Sequence, residues 1–244
     1  MDRPYAISLT TIPPRFDRLG PVLRCLLAQV PTPAEVLLCV PQNYDRFPGA
    51  FELPAVPEGV TVLRGGADLG PGMKAIKGAR YLLGRIPGLI YCDDDWLMGP
   101  DWARHLLNAK KGDEAVAGQG FNVDRLRRVS TCANGYCDIA QGFSGVLADP
   151  LVLAEAEAPT EVASRVVDDI WLSAHMAGEG IAIRQAPLAR HAIRPAFDDG
   201  HGLQGQQFDA KDRAEANLQC VAAMASRYGI WPDVCPKTAI AARG

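Results

Sequence analysis

Short apolar runs that stop abruptly are the feature that most limits what this chain can fold into. Glu35–Val40 (EVLLCV) is an apolar run that ends at Pro41, which is typical of a strand buried on both faces. Leu89–Cys92 (LIYC) is a second such run, and Leu19–Val30 carries apolar residues at helical spacing. Alternating strands and helices predict an α/β fold with a mostly parallel central sheet and helices on both of its faces.

The rest of the pattern differs between the two halves of the chain. In the first half we predict two more strands and two more helices, at Ala6–Thr10, Val60–Leu63, Met73–Leu83 and Trp102–Ala109. In the second half we predict shorter strands, at Ala115–Val123, Arg128–Ala133, Tyr136–Ala140, Gly142–Leu147 and Ile181–Gln185. Asn134-Gly135 is typical of a hairpin turn between two of them. We predict helices in part of Pro150–Val167 and at Asp169–Ala177 and Asp209–Tyr228, and a loop at His191–Gln207. A smaller antiparallel elaboration therefore accompanies the parallel sheet, within a single domain over residues 1–244.

Composition argues against several classes of protein. Among the 244 residues, 25 Lys and Arg stand against 28 Asp and Glu, which gives a net charge of −3, and 48% of residues are hydrophobic. This balance argues against disorder and against nucleic-acid binding driven by positive charge. Since no apolar run approaches the roughly 18–20 residues of a membrane span, we expect no transmembrane segment, and we expect no signal peptide. The seven cysteines lack a CxxC pair, so we expect them to be reduced and the protein to be cytoplasmic.

Three consecutive acids, Asp93, Asp94 and Asp95, follow LIYC directly. Ligand sites in open α/β sheets lie at the carboxyl ends of strands, where these acids fall. Carboxylates about 4 Å apart repel each other by about 1 kcal/mol per pair in water, and by several times more when partly buried. Because a divalent cation such as Mg²⁺ or Mn²⁺ removes this repulsion, we interpret the cluster as a metal site. An aspartate-rich turn or helix N-cap is the simpler alternative.

A glycine-rich segment, Gly65–Gly72, leads into the predicted helix that carries Lys74. Backbone amides at a helix start, glycines that allow close approach and a nearby cation together favour an anion site. The segment matches neither the P-loop nor the GxGxxG pattern, and an ordinary turn before a solvated basic helix face explains it equally well.

A second acidic pair, Asp168-Asp169, stands between the apolar residues Val166-Val167 and Ile170-Trp171-Leu172. Apolar surroundings raise the pKa of a carboxylate, which suits a general base. The alternative is that both acids only stabilise the dipole of a helix that begins there.

Arg15 and the histidines complete the candidate residues. Arg15 lies in the turn after the first predicted strand, where it can pair with a phosphate bidentately or simply be a surface arginine. His191 follows a predicted strand and is a candidate metal or phosphate ligand, with His201 as a second one. His105 and His175 lie inside predicted helices, and we expect structural roles for them.

Taken together, these motifs resemble those of the GT-A superfamily of nucleotide-sugar-dependent glycosyltransferases, and its family 2-like members in particular. ISLTTIPPRF resembles the first strand and nucleotide-contacting turn of that superfamily, and LIYCDDD resembles its strand followed by the DxD motif. GFSG and VVDDIWLSAHM resemble the acceptor-side glycine segment and the acidic helix that carries the base. The resemblance covers residues 5–195. The usual Glu-Asp pair is replaced here by Asp168-Asp169, and the long Gly-Gly-Phe-Asp stretch of many bacterial members is missing.

The resemblance implies a metal-dependent and inverting transfer of a sugar from a nucleoside-diphosphate sugar, with a UDP-sugar favoured, to a glycan or other hydroxyl acceptor. The implied ligands of Mn²⁺ or Mg²⁺ are Asp95, Asp93 and His191. The implied donor-binding residues are Thr10, Arg15, Gly70, Lys74, Asp93 and Asp94. The implied base is Asp169, with Asp168 as the alternative. Residues 1–110 would form the nucleotide-binding half, residues 111–200 the acceptor and catalytic half, and residues 201–244 a C-terminal loop and helix.

The residues by themselves, without the resemblance, indicate only a metal site, an anion-binding site and a general base. Two acid clusters and a divalent cation also suit hydrolysis of a phosphate ester or of a sugar nucleotide, with water as the nucleophile. A nucleotide-sugar-binding module without turnover is the non-enzymatic alternative.

Overall fold

The computed structural model describes residues 4–197 and 212–234. Its strands, β1 to β12 in chain order, are Tyr5–Thr10, Glu35–Val40, Val60–Arg64, Gly88–Cys92, Trp96–Met98, Ala115–Ala117, Gly120–Phe121, Tyr136–Cys137, Ile139–Ala140, Val146–Ala148, Ile183–Gln185 and Ile193–Pro195. Its α-helices, α1 to α8, are Leu19–Leu27, Met73–Leu82, Trp102–Ala109, Pro150–Ala154, Val162–Arg165, Asp168–Gly178, Pro187–His191 and Arg213–Tyr228. Short 3-10 helices cover Pro13–Arg18, Gly70–Gly72, Val123–Leu126 and Gly142–Ser144.

The described residues contain an eight-stranded sheet in the order β3-β2-β1-β4-β10-β6-β11-β8. The pairs β3-β2, β2-β1, β1-β4 and β6-β11 are parallel. Strand β10 runs antiparallel to both β4 and β6, and β8 runs antiparallel to β11. Two small antiparallel sheets, β12-β5 and β7-β9, stand beside it. The predicted fold class, a mostly parallel sheet with an antiparallel elaboration, is confirmed.

Helices cover the central sheet on both faces because its strands present apolar side chains alternately to each side. On one face α2, α4, α6 and α8 form a core layer with residues such as Ala6, Leu89 and Trp171. On the other face α1, α3 and α7 pack with residues such as Ile7 and Trp102. Full burial of a large apolar side chain stabilises a fold by about 1.5–3 kcal/mol, so both layers hold the sheet firmly in place.

Predictions for the first half are confirmed to within a few residues, and α3 has its predicted bounds. Helix α1 ends at Leu27, three residues before the predicted end at Val30. The residue before a proline avoids helical backbone angles, and Val30 precedes Pro31. The Gln29 side chain then donates to the Cys25 carbonyl at 3.0 Å and to the Gly99 carbonyl at 2.9 Å, which closes the helix end.

Several predicted strands of the second half are wrong. Among the described residues, 128–133 contribute only an isolated bridge between Arg128 and Asp233, so the turn at Asn134-Gly135 does not join a hairpin. Tyr136 instead pairs with Arg184 of β11. The predicted strand over 115–123 is interrupted at Gly118, where a Cβ atom would lie 2.5 Å from the Ser144 carbonyl oxygen. The residues 142–144 form a 3-10 helix, and the strand begins only at Val146. Contacts with distant segments decide each of these cases.

The predicted loop over 191–207 and the predicted C-terminal helix are only partly covered by the described residues. Ile193–Pro195 is a strand paired with β5, which corrects part of the loop, and residues 198–207 lie outside the described range, with His201 among them. Helix α8 begins after a capping box between Asp212 and Glu215, and the predicted segment 209–211 also lies outside that range.

No described helix is long and apolar enough to cross a membrane. The six described cysteines are free, and Cys235 lies outside the described residues.

Candidate active site

A cleft of about 1310 Å³ opens at the carboxyl ends of β1 and β4. These strands are parallel neighbours, with Leu9 opposite Cys92, so the turn after β1 and the acids after β4 meet at one edge of the sheet. Among the predicted site residues within the described range, all except His191 line this cleft: Thr10, Arg15, Gly70, Lys74, Asp93, Asp94, Asp95, Asp168 and Asp169. His191 is exposed at the end of α7 and is not among the lining residues.

Arg15 connects the turn after β1 to the acid cluster. Its Nη1 donates to Asp94 Oδ1 at 2.5 Å, and its Nη2 lies 3.3 Å from Asp95 Oδ2. Asp94 is buried and also accepts a hydrogen bond from Thr11 Oγ1 at 2.6 Å. Burial raises the pKa of Asp94 above its usual value, although the Arg15 charge and the Thr11 hydroxyl act in the opposite direction. Asp94 therefore holds the turn in place, and the guanidinium predicted to bind phosphate already has carboxylate partners.

Lys74 joins the two acid clusters. Its Nζ lies 2.7 Å from Asp93 Oδ1 and 2.6 Å from Asp168 Oδ2, and the side chain is almost wholly buried. Burial by itself would lower the pKa of this ammonium, but the charges of Asp168 and Asp93 hold it well above its ordinary value. Lys74 was predicted to contact an anion of the donor. In the structure its ammonium has two carboxylate partners.

Asp169 lies in the first turn of α6 and differs from its neighbour Asp168. Its Oδ1 accepts a hydrogen bond from the Gly142 backbone N–H at 2.9 Å, and Asp169 lines the cleft. Among the described residues, its Oδ2 accepts no hydrogen bond. Desolvation, followed by the negative charge of Asp168, raises the pKa of Asp169 to about 7. Asp169 is thus a carboxyl group that changes protonation near neutral pH, which is the property predicted for a base.

The carboxylate of Asp95 has one oxygen without a hydrogen-bond partner among the described residues. Its Oδ1 is buried and has no hydrogen-bond partner among the described residues. Desolvation, together with the charges of Asp93 and Asp94, raises the pKa of Asp95 to about 7. A buried carboxylate oxygen without a partner fits a hard divalent cation. No cluster of three ligating His, Cys, Asp or Glu side chains exists within residues 4–197 and 212–234. Because Mg²⁺ is commonly held by one or two carboxylates plus substrate phosphates, the residues present fit a metal site that the substrate completes.

Glycine is required at Gly142 by close packing at the junction of the two clusters. A Cβ atom there would lie 2.9 Å from Lys74 Cε and Nζ and 3.2 Å from Asp93 Oδ1. Real Cβ atoms almost never come closer than 3.0 Å to another atom, so a side chain at this position would displace the ammonium. The predicted anion loop provides a second case, since Gly70 adopts a φ of +60° and lines the cleft.

The sequence did not single out several residues of the cleft. Arg165 donates to Asp45 Oδ2 at 3.3 Å and to the Asp68 carbonyl at 3.1 Å, so it ties α5 to the loops after β2 and β3. Trp96 and Phe143 contact each other, with ring centroids 4.9 Å apart. Since these contacts span 47 to 120 positions, spacing along the chain gave no sign of them. The one local signal was that Trp96 and Phe143 each stand next to a motif residue.

Comparison with solved structures finds chains that share this fold over nearly the whole length of the protein. A glucosyl-3-phosphoglycerate synthase from Mycobacterium tuberculosis, in complex with Mg²⁺ and uridine diphosphate, aligns over 95% of this chain and 81% of its own with a TM-score of 0.54 and 12% identity. A structure described as a mycobacterial protein aligns over 95% and 76% with a TM-score of 0.54 and 16% identity. A complex of the same synthase with phosphoglyceric acid aligns over 95% and 81% with a TM-score of 0.51 and 13% identity.

No protein-family model matches the chain, and no curated protein matches it. At 12–16% identity, the likeness to these structures shows the fold alone. The fold expected from the sequence motifs is confirmed.

Proposed function

We propose that this protein is a metal-dependent glycosyltransferase that moves a sugar from a nucleoside-diphosphate sugar to an acceptor hydroxyl. The observation that carries the proposal is the position of Asp169. Its carboxyl group has a pKa of about 7, is held by the Gly142 N–H, and lines the same cleft as the Asp93–Asp95 cluster. A base beside a metal-binding cluster is what attack of a hydroxyl on a sugar diphosphate requires.

We assign the role of general base to Asp169 because the carboxylate of Asp168 is already paired with Lys74. Asp168 forms a buried ion pair with Lys74, and protonation of Asp168 would break that pair. Asp169 Oδ1 is oriented by the Gly142 N–H, which leaves Oδ2 to take a proton. As the acceptor oxygen bonds to C1 of the sugar, its proton passes to Asp169, and the bond from C1 to the diphosphate oxygen breaks with its electron pair. A direct attack of this kind inverts the configuration at C1.

The residues that would hold the metal are Asp93 and Asp95, the latter through its buried Oδ1, which has no hydrogen-bond partner among the residues the structure describes. When bound, Mg²⁺ or Mn²⁺ would stabilise negative charge on the departing diphosphate. Arg15 fixes the orientation of Asp95 through its contact at 3.3 Å. Lys74 keeps Asp93 in place and adds a positive charge near the departing group. We do not propose His191 as a metal ligand, because it is exposed and does not line the cleft.

The proposed donor is a UDP-sugar, supported by the uridine diphosphate and Mg²⁺ in one of the similar structures. Residues 1–110 supply Thr10, Arg15, Gly70 and Lys74 to the cleft and are proposed as the donor half. The lining residues from position 111 onward, Asp169 among them, are proposed as the acceptor half.

Release of UDP from a panel of UDP-sugars with Mg²⁺ or Mn²⁺ tests the proposal, with and without candidate acceptors. We expect release that depends on both metal and acceptor. Asp169→Asn should lower turnover by at least about 10²-fold and leave UDP affinity unchanged, because general-base help is typically worth about 10²–10⁴-fold. The matched control is Asp149→Asn, which removes one charge at the exposed start of α4 while retaining a capping oxygen for Leu151 N–H.

The outcomes separate this proposal from its alternatives. Release of UDP at the same rate without any acceptor would identify a hydrolase. Binding of UDP-sugar with no release under any condition would identify a binding module. Full turnover by Asp169→Asn would place the base elsewhere and contradict the mechanism.

A further inference from the structure

Three side chains form a compact cluster in the cleft that the proposed chemistry does not use: Trp96, Phe143 and Arg190. All three line the cleft. The Arg190 guanidinium lies over both rings, with its central carbon 5.2 Å from each ring centroid. This distance allows cation–π attraction to both rings, so the flat guanidinium is held by stacking.

A hydrogen-bond relay fixes the rotation of the same guanidinium. Arg190 Nε donates to Gln119 Oε1 at 2.8 Å, and Gln119 Nε2 donates to Gln141 Oε1 at 3.2 Å. The residues of this relay, Arg190, Gln119 and Gln141, belong to separate segments of the chain, and each is partly buried. Much of the entropy cost of ordering a long side chain is therefore met before any ligand arrives.

The charge of Arg190 is not neutralised by a carboxylate within residues 4–197 and 212–234. In contrast, the cleft residues Arg15, Lys74 and Arg165 each form an ion pair with an aspartate. Among the described residues, Arg190 donates a hydrogen bond through Nε, which leaves Nη1 and Nη2 as donors for a ligand. A fixed planar fork of this kind matches the two oxygens of a carboxylate or of a phosphate.

The cluster stands beside the proposed base. Phe143 directly follows Gly142, whose N–H donates to Asp169, and Trp96 directly follows Asp95. A group bound at Arg190 therefore lies next to the segment that positions Asp169, where the acceptor hydroxyl has to be placed.

We propose that Arg190, held by Trp96, Phe143 and Gln119, binds an oxyanion carried by the acceptor, a carboxylate or a phosphate, and so makes the protein selective for acidic acceptors. This inference rests on the proposed function, since it names the class of acceptor. Bidentate contact at a fixed distance from Asp169 orients the reacting hydroxyl of the acceptor.

The test compares three sugars of similar size: glucose 6-phosphate, methyl glucuronide and uncharged methyl glucoside. Binding is measured in the presence of UDP and Mg²⁺, which keep the phosphate probe out of the donor site. Tryptophan fluorescence provides the signal, because Trp96 is partly exposed whereas the other tryptophans, Trp102, Trp171 and Trp231, are buried. The variants are Arg190→Gln, Arg190→Lys, which retains the charge without the planar fork, and the control Arg104→Gln, which removes an exposed charge on α3.

We expect at least one charged sugar to bind about tenfold or more tightly than methyl glucoside, and Arg190→Gln to abolish the difference. Arg190→Lys should retain only part of it, and Arg104→Gln all of it. Preference for the phosphate or for the carboxylate identifies the acidic group. Two results would overturn the inference: equal binding of charged and uncharged sugars, including none, or a loss of UDP affinity in Arg190→Gln that matches the loss for the charged sugars.

Failure of the proposed function gives a different result. If the protein consumes no UDP-sugar with any acceptor, the glycosyltransferase proposal fails, whereas the binding difference at Arg190 is measured without turnover.

Discussion

Lys74 Nζ lies 2.6 Å from Asp168 Oδ2, across 94 positions of the chain. The same nitrogen lies 2.7 Å from Asp93 Oδ1, so a single buried ammonium connects the acids after β4 to the acids that begin α6. This arrangement compensates two carboxylates in a place where burial would otherwise disfavour their charge. It also sets Asp168 apart from Asp169, whose carboxylate accepts a hydrogen bond from the Gly142 N–H and has no cationic partner within hydrogen-bond distance in the described part of the chain.

Removal of the ammonium should destabilise the fold. Lys74→Met leaves Asp93 and Asp168 without their cation, and loss of one member of a buried ion pair typically costs about 3–5 kcal/mol. Urea unfolding at pH 7.5 measures the change, with Lys111→Met at an exposed position as the control. An unchanged free energy of unfolding would show that Lys74 contributes nothing to the coupling of the two clusters.

Turnover should depend on pH through Asp169. A base with a pKa of about 7 is mostly ionised above pH 7 and mostly protonated below it. We therefore expect kcat/KM to be level above about pH 8 and to fall by up to tenfold per pH unit below pH 7. Rates of UDP release between pH 5 and 9 measure this profile. A rate that stays constant down to pH 5 would contradict the assignment, because a base of ordinary pKa would then be at work.

Asp95 should control the metal-dependent binding of the donor. In Asp95→Ala the buried Oδ1 is lost, and we expect Mg²⁺ or Mn²⁺ to cease enhancing the thermal stabilisation by UDP while the fold remains intact. Melting curves with UDP alone, metal alone and both together measure the effect. Asp101→Ala, at an exposed position before α3, is the control. A metal-dependent shift equal to that of the unaltered protein would remove Asp95 from the metal site.

The space at Gly142 should be essential for turnover. Gly142→Ala places a methyl group 2.9 Å from Lys74 Nζ, so the ammonium has to move away from Asp93 and Asp168. We expect a loss of at least about tenfold in turnover together with about 1–3 kcal/mol of stability, the usual cost of overpacking. In the control, Gly20→Ala, the new methyl group meets the flexible end of Arg24 at 3.3 Å. Normal turnover in Gly142→Ala would show that the junction tolerates displacement of Lys74.

Local sequence patterns predicted the first half of the fold. The strands Glu35–Val40 and Gly88–Cys92 are buried on both faces, so their apolar runs are continuous and the predicted bounds agree with the structure to within one residue. The strands of the second half are two or three residues long, and tertiary contacts set where they begin and end. Residues 128–133 have the composition of a strand and yet, among the described residues, form only the isolated bridge between Arg128 and Asp233.

By itself, the sequence determined the position of the acids at strand and helix ends, because buried apolar runs fix where those ends fall. It did not determine which groups neutralise one another. The pairing of Lys74 with Asp168 and of Arg15 with Asp94 spans 94 and 79 positions, and the stacking of Arg190 on Trp96 and Phe143 joins three separate segments. Such pairings depend on distances that arise only when the sheet and its helices have packed. Only the tertiary structure therefore decided that Lys74 belongs to the acids, that Asp169 is the carboxyl group with the raised pKa, and that Arg190 keeps its charge unpaired among the described residues.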